Sequence, residues 1–271
     1  LFLKDGATHF VFEGRECGGH VGPRYSFVLW EQAMARLVRH RQPETLNILF
    51  AGGIHDARSS AMVAAIAAPL AARGARIGVL MGTAYIATEE AVSSGAVLPR
   101  FQEKALSGDG TTLVETAPGH AVRCLRSGFV DVFEREKDRL RREGVEQRQA
   151  WLELESLTVG RLRVASKGVD RIGGVLGPVT AERQDAEGMY MIGQAIALKD
   201  TVTTVAELHR QVSRGAVARL DCIDIPALKR AAQAEPVAIV GMACIYPGSP
   251  DLETFWTNIV EGGDFVREVP E

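Results

Sequence analysis

The sequence predicts an α/β protein built on a parallel sheet, and two observations support this fold class. Three short apolar runs, at residues 9–12, 45–51 and 75–81, are each followed by a glycine-rich turn. Helical segments separate the runs, and this alternation is typical of βα units whose strands lie parallel. In such folds ligands bind beyond the C-terminal ends of the strands, whether the sheet is open or closed into a barrel. The glycine-rich turns are therefore the first candidates for a functional site.

The strand at residues 9–12 leads into the segment at residues 13–22, whose sequence is EGRECGGHVG. Gly18 and Gly19 lack a Cβ, so the backbone can approach a bound group closely. His20 follows with an imidazole whose ordinary pKa of about 6.5 suits proton transfer near neutral pH. Taken alone, the motif is more simply a tight turn with a surface histidine, and its weight depends on the rest of the chain.

Two helices are predicted between the three strands. Residues 30–38 carry apolar side chains at helical spacing, which indicates an amphipathic helix. Residues 57–72 form the second helix, and Asp56 stands where an N-cap is expected. Each strand is thus joined to the next by a helical crossover, as parallel strands require.

The part of the chain at residues 88–188 is less regular. Mixed charges with interleaved apolar residues at 131–157 predict a pair of solvated helices with one apolar face. A basic cluster follows, made of Arg161, Arg163, Lys167 and Arg171. This cluster could hold an anionic carrier or a cofactor phosphate, although ordinary surface charge is the simpler explanation.

Closing helices are predicted at residues 193–198 and 203–215. Thr203 or Thr204 would cap the last one and Gly215 would end it. These helices complete a first domain over residues 1–215.

A second domain is predicted from residue 235 onward. Residues 216–234 lose the βα alternation and are interpreted as a linker. The apolar run at 236–244 then predicts a new strand, and Asp251 is the expected N-cap of the helix that follows.

Composition excludes several classes of protein. Of the 271 residues 46% are hydrophobic and 24% are charged, which is enough for a full core. The net charge of −3 gives no polycation for nucleic acid or anionic lipid, and no apolar run reaches the ~18 residues of a bilayer span. The four cysteines are scattered without a CxxC pair, so we expect no disulfide framework, no metal site and a reducing, cytoplasmic setting. Since the chain starts beside a strand and ends soon after a new motif, we expect a piece of a longer polypeptide.

Several short motifs recur along the first 215 residues at intervals of one βα unit. They are EGRECGGH at 13–20, AGGI at 51–54, MGTAY at 81–85, Gly119 with Arg123, and Gly193 with Gln194. Each is weak alone, but their order and spacing form a strong signal. Together they resemble the nitronate monooxygenase and FMN-dependent enoyl reductase family, a group of TIM-barrel flavoproteins.

This resemblance implies a (β/α)8 barrel of which the chain supplies the later strands, together with an extra helical segment. It implies FMN as the cofactor, NAD(P)H as the reductant and His20 as the catalytic proton-transfer residue. The implied cofactor-binding residues are Cys17, Gly18, Gly19, Gly52, Gly53, Gly82, Thr83 and Gln194. Backbone amides of the second and third glycine turns would hold the phosphate, as the loops after strands 7 and 8 do in many TIM barrels.

The restart at residues 236–248, PVAIVGMACIYPG, is followed by Phe255, Trp256 and Gly262. This block looks like the opening of a polyketide ketosynthase, a thiolase-like domain. Cys244 belongs to the opening strand of that motif, and the resemblance gives it no role as the condensing nucleophile.

Together the two resemblances imply an FMN-dependent enoyl-thioester (enoyl-ACP) reductase domain of a polyketide or polyunsaturated fatty acid synthase. The implied partners are an acyl carrier protein with its phosphopantetheine-bound enoyl chain, the rest of the synthase and a second copy in a homodimer. Arg161, Arg163 and Lys167 are the candidate carrier-docking groups. A nitronate monooxygenase-type flavoenzyme and a non-catalytic docking domain beside the ketosynthase stay open as alternatives.

Overall fold

The structure is a computed structural model and describes residues 2–108, 110–223, 243 and 245–265. The chain divides into two units, residues 1–223 and residues 224–271. Within the described ranges, no helix combines the length and the apolar character that a bilayer span needs.

The described elements are short and alternate in type. The strands are β1 (His9–Glu13), β2 (Gly19–Val21), β3 (Asn47–Ala51), β4 (Arg76–Leu80), β5 (Thr111–Ala117), β6 (His120–Leu125), β7 (Val169–Ile172) and β8 (Val175–Pro178). The helices are α1 (Ser26–Leu37), α2 (Ala57–Ala71), α3 (Thr83–Ile86), α4 (Glu89–Ser93), α5 (Pro99–Ser107), α6 (Gly128–Arg142), α7 (Gln147–Thr158), α8 (Arg161–Lys167), α9 (Ala181–Glu187), α10 (Val205–Arg210), α11 (Ala216–Asp221) and α12 (Leu252–Val260). Short 3-10 helices occupy Pro43–Thr45 and Gln194–Leu198, and a π-helical turn occupies Gln211–Gly215.

The three predicted strands form one parallel sheet in the order β1-β3-β4. Their register aligns Glu13 with Ala51 and Ala51 with Leu80, so the three strands end at the same level. The prediction of parallel βα units is therefore confirmed, and the turns that follow these strands leave the sheet along one edge.

One face of this sheet carries the main core of the first unit. Ile48 and Phe50 are fully buried there, and Trp30 of α1 packs edge-on against Phe50 with ring centroids 5.5 Å apart. The opposite face carries Val11, Leu49 and Leu80, whose exposed fractions are 54%, 37% and 44%. Since successive side chains of a strand point to opposite faces, the apolar runs supply both faces of the sheet.

The helix α2 begins as predicted. The Asp56 carboxylate accepts hydrogen bonds from the Ser59 amide at 2.8 Å and the Ser59 hydroxyl at 2.7 Å. The Ser59 hydroxyl oxygen in turn lies 3.1 Å from the Asp56 amide, which completes a capping box. This cap satisfies amides that the first turn of a helix leaves without intrahelical partners.

An antiparallel sheet in the order β2-β6-β5 joins the segment after β1 to β5 and β6, which lie in the stretch that the sequence analysis described as less regular. The side chains of β5 and β6 that face α6 and α7 include Val114, Val122 and Cys124, which pack into one cluster with Phe133 and Leu154 of those helices. The predicted pair of charged helices with one apolar face is thus confirmed as α6 and α7.

Two boundaries at the end of the first unit are corrected by the structure. Thr204 caps α10 as predicted, because its hydroxyl accepts from the Glu207 amide at 3.1 Å. Gly215 does not end the helical segment, which continues through a π-helical turn into α11 at Ala216–Asp221. The predicted linker at 216–234 therefore starts as helix packed against α2, while its residues 224–234 lie outside the described part of the chain.

In the second unit, Asp251 caps α12 as predicted, and its carboxylate accepts from the Thr254 amide at 2.8 Å. Tyr246 stacks on Phe255 with ring centroids 4.6 Å apart. The predicted strand at 236–244, including Cys244, lies outside the described residues except for Ala243.

Candidate functional site

A cavity of about 260 Å³ opens where the strands of the parallel sheet end. It is lined by Glu13, Glu16, Cys17, Gly18, Ala51, Gly52, Gly53, Ile54, Leu80, Met81, Gly82, Thr83, Ile86, Met191 and Ala195. Six of the eight cofactor-binding residues that the sequence predicts are in this lining: Cys17, Gly18, Gly52, Gly53, Gly82 and Thr83.

The strand register explains why these turns converge. Ala51 and Leu80 are aligned neighbours on β3 and β4, and adjacent strands lie ~4.8 Å apart. The turns at Gly52 and Gly82 therefore start side by side. The turn after β1 joins them because the Gly14 amide donates to the Ala51 carbonyl at 3.0 Å.

The turn after β3 needs glycine for its backbone conformation. Gly52 and Gly53 have φ of +122° and +68°, in the region that side-chain-bearing residues rarely adopt. The His55 ring fixes this turn, since its Nδ1 lies 2.7 Å from the Gly53 carbonyl oxygen, and Lys199 Nζ donates to the His55 carbonyl at 3.0 Å. His55 thus stabilises the turn that lines the cavity.

The segment around Gly193 closes the cavity from a third side. The Gly193 amide donates to Thr83 Oγ1 at 2.8 Å, and the Gln194 amide donates to the Glu16 carbonyl at 2.8 Å. A Cβ on Gly18 would lie 2.6 Å from the backbone of Ile192, so this approach is possible only for glycine. Gln194 itself is exposed and contributes through its backbone.

Two carboxylates and a thiol form the other wall of the cavity. Glu16 Oε2 accepts from the Ser26 amide at 3.1 Å, while Glu13 ends β1. Burial raises the pKa of the Cys17 thiol well above its usual range, and Glu13 and Glu16 raise it further because a thiolate beside them would be repelled. Cys17 is therefore a neutral thiol near pH 7 and is no nucleophile there.

The glycine wall suits the phosphate of a mononucleotide. In the described part of the chain, the amides of Gly53 and Gly82 donate to no protein acceptor. A Cβ at Gly82 would meet no heavy atom within 4 Å, so the space that it faces is free for a ligand. Thr83 Oγ1 accepts from Gly193, which leaves its own O–H free to donate to an anion. Open backbone amides of this kind are a common way to bind phosphate, so the residues present fit the FMN phosphate.

His20 is placed beside the cavity and not in its described lining. The lining residues of this segment end at Gly18, and Gly19 and His20 follow on β2. His20 is exposed and is paired with Val122 of β6. His20 thus follows the last lining residue of this segment by two positions along the chain.

The basic cluster of α8 is not brought to the cavity. Arg161 pairs with Glu187 at 2.6 Å, and Arg163 lies 3.4 Å from Asp170. Lys167 Nζ donates to the Gly95 carbonyl at 2.6 Å. These three side chains hold α8 to its neighbours, and their assignment to carrier docking stays a prediction.

Comparison with known proteins identifies relatives of both parts of the chain. A dehydrogenase of Mycobacterium tuberculosis, named for (3aS,4S,5R,7aS)-5-hydroxy-7a-methyl-1-oxo-octahydro-1H-indene-4-carboxyl-CoA, is 30% identical over 129 residues, which is 48% of this chain and 32% of the relative. Erythronolide synthase EryA3 of Saccharopolyspora erythraea is 54% identical over 37 residues, which is 13% of this chain and 1% of the synthase. The chain thus spans less than two thirds of the length of these relatives.

The structure of FabK from Thermotoga maritima shares the fold, with a TM-score of 0.57, 24% sequence identity and coverage of 81% of this chain and 58% of that chain. This likeness confirms the predicted TIM-barrel class. Residues 234–271 match the profile of the β-ketoacyl synthase N-terminal domain, which confirms the second resemblance. Residues 1–215 match the nitronate monooxygenase profile, and the chain therefore belongs to the nitronate monooxygenase family.

Proposed function

We propose that residues 1–215 are part of an FMN-dependent enoyl-thioester reductase that works within a polyketide or polyunsaturated fatty acid synthase. The observation that carries this proposal is the cavity that gathers Cys17, Gly18 and the glycine turns after β3 and β4. These turns present open amides to one space, as a cofactor phosphate requires.

In this proposal the chain's residues bind and orient, and one of them moves a proton. The amides of Gly53 and Gly82 and the hydroxyl of Thr83 would hold the phosphate. FMN, when bound, supplies hydride transfer from NAD(P)H to the β-carbon of the enoyl chain. His20 would donate a proton to the α-carbon of the thioester or a hydrogen bond to the developing enolate oxygen, and general acid help of this kind is worth ~10²–10⁴-fold.

The comparisons support a thioester as the substrate class. The Mycobacterium tuberculosis relative is named as a dehydrogenase of a carboxyl-CoA compound, that is, of an acyl thioester. The β-ketoacyl synthase match at residues 234–271 and the relative named erythronolide synthase support a carrier-bound chain as the form of that thioester.

The proposal is tested on the chain purified within its native polypeptide. We expect a visible flavin absorption spectrum after FMN is added and free cofactor is removed. We then expect NAD(P)H-dependent loss of enoyl absorbance with crotonyl-N-acetylcysteamine under anaerobic conditions. A protein that takes up no FMN would refute the proposal and favour the non-catalytic docking domain.

A nitronate monooxygenase activity is the second candidate, and the family profile itself favours it. Here His20 would accept a proton from the nitroalkane, and oxygen would be consumed. Oxygen uptake with a nitronate, without loss of enoyl absorbance, would select this activity over enoyl reduction.

The role of His20 is tested by His20→Ala with His20→Gln as the matched control of similar size. We expect both variants to keep FMN, because His20 is not among the lining residues of the cavity. We expect both to reduce the enoyl substrate at least ~10-fold more slowly than wild type. An unchanged rate in His20→Ala would remove His20 from the mechanism, while an unchanged rate in His20→Gln alone would assign it hydrogen bonding and not proton donation.

A further inference from the structure

A second cavity, of about 580 Å³, lies between the β5–β6 turn and the two helices α6 and α7. Its lining residues are Glu115, Thr116, Ala117, Pro118, Lys137, Leu140, Arg141, Val145, Gln147, Ala150, Trp151 and Leu154. None of them lines the cavity of the candidate cofactor site. We call this surface the α6–α7 groove.

The floor of the α6–α7 groove is apolar. Leu140 and Leu154 are buried members of the core, and Val145 and Ala150 pack against the same cluster. Trp151 lies on this floor half-buried, with part of its ring surface open. A groove with a partly open aromatic residue between two helices has the form that accepts the apolar face of an amphipathic helix.

The α6 side of the groove carries positive charge that the protein leaves free. The side chains of Lys137 and Arg141, one turn apart, make no ion pair or hydrogen bond in the described part of the chain. Arg139, between them in sequence, pairs with Glu136, Glu143 and Glu153. These three carboxylates thus pair with Arg139, and the side chains of Lys137 and Arg141 at the groove have no acidic partner in the described residues.

Positive charge continues along α6 beyond the groove, where three arginines stand against the one carboxylate of Asp138. A neighbouring cavity of about 740 Å³ shares Arg141 and is also lined by Arg135, Asp138 and Arg142. Glu115, on the opposite side of the groove, is exposed and repels anionic groups on its own side, so the negative charge of a ligand has to lie on the α6 side. A positive strip of this length beside an apolar floor therefore fits a helix with acidic and apolar faces better than a small anionic molecule.

We propose that the α6–α7 groove docks an acidic amphipathic helix of a partner protein, with the acidic face on Lys137 and Arg141 and the apolar face on Trp151. The identification of that partner as the acyl carrier protein rests on the proposed function. Ala121 of β6 pairs with Glu115 on β5, at the edge of the groove, and with Val21 on β2, the residue after His20. Glu115 and Val21 are therefore two strand spacings, or ~10 Å, apart. A carrier docked here would stand beside the strand that bears the imidazole.

The test measures binding of a fluorescein-labelled holo acyl carrier protein to the full chain by fluorescence anisotropy. We expect the double variant Lys137→Glu/Arg141→Glu to raise the dissociation constant of the carrier at least ~10-fold. We also expect rising salt to weaken the binding of the carrier to wild type. The matched control is Arg214→Glu/Arg219→Glu, which makes the same charge change at two exposed arginines outside both cavities. We expect this control to bind within about twofold of wild type.

Trp151→Ala provides an independent test of the apolar floor, and Lys137→Ala/Arg141→Ala replaces the charge reversal if that variant does not fold. We expect each to weaken carrier binding while thermal unfolding stays cooperative. The proposal would be overturned if the control pair weakened carrier binding as much as the groove variants do, or if the groove variants had no effect on binding. It would also be overturned if decanoate displaced the carrier and an acidic helical peptide did not. Reduction of crotonyl-N-acetylcysteamine needs no carrier. Absence of this reduction in the wild-type protein would therefore refute the proposed function without affecting the result of the docking experiment.

Discussion

The substitution Gly82→Ala is expected to weaken cofactor binding while leaving the stability of the ligand-free protein unchanged. Gly82 has φ −118° and ψ −67°, and this negative φ lies outside the left-handed region that favours glycine. Its added Cβ would meet no protein heavy atom within 4 Å, so the substitution introduces no clash in the ligand-free protein. The methyl group would project into the space that the cofactor phosphate is proposed to occupy.

The magnitudes follow from these two environments. We expect the free energy of unfolding to stay within ~0.5 kcal/mol of wild type, as for a substitution without new contacts. In the complex, the methyl group is an overpacking change, which costs ~1–3 kcal/mol. That free energy raises the dissociation constant for FMN by about 5- to 150-fold.

The assay combines thermal unfolding followed by circular dichroism with an FMN fluorescence titration. Gly177→Ala is the matched control, since its Cβ also meets nothing within 4 Å and Gly177 lies on β8, outside the cavity. It should leave both quantities unchanged. A folded Gly82→Ala variant that binds FMN within twofold of wild type would refute the assignment of this turn to the phosphate.

Three further predictions follow from the same geometry. Gly18→Ala should lower the free energy of unfolding by ~1–3 kcal/mol in urea titrations, because its Cβ would lie 2.6 Å from the Ile192 backbone; an unchanged stability would contradict the close packing. Iodoacetamide at pH 8 should alkylate the exposed Cys222 well before Cys17, whose pKa is raised by burial and by its acidic neighbours, and mass spectrometry showing equal rates would speak against that environment. Asp56→Ala should lower the free energy of unfolding by ~0.5–2 kcal/mol in urea titrations near neutral pH, because the helix loses its N-cap. Burial opposes ionisation of Asp56, but hydrogen bonds from Ser59 hold its pKa below the usual value. The stability difference between wild type and variant should therefore shrink as the pH falls below ~4, and a difference that does not change with pH would contradict this role of the carboxylate.

The parts of the fold that local sequence determines were predictable. β1, β3 and β4 are short apolar runs that end in glycine turns, and their ends converge because neighbouring parallel strands finish at one edge. The cap at Asp56 depends only on Ser59, three residues away. In the same way, the apolar face of α6 and α7 is encoded in a local 3.6-residue period.

The parts that depend on distant pairing were not predictable. β2 consists of three residues, and its strand character comes from pairing with β6, a hundred residues later. The same pairing buries Arg123 to 3% exposure, where its guanidinium donates to the Arg15 carbonyl at 3.0 Å and to Thr111 Oγ1 at 3.1 Å. Likewise, the charges of α8 looked free in sequence because Glu187, the partner of Arg161, is 26 residues away.

Side chains on the exposed face of the parallel sheet belong both to the interior of the barrel and to the lining of the candidate site. In a TIM barrel, alternate strand residues fill the interior in layers, and Val11, Leu49 and Leu80 occupy the face that corresponds to that interior. The last row of this face is Glu13, Ala51 and Leu80, and all three line the cavity below the glycine turns. The row that would close the barrel interior is therefore also the floor of the candidate cofactor cavity. In the proposed function, packing of the interior and binding of the cofactor depend on one layer of side chains, and we expect a substitution at Leu80 to change both.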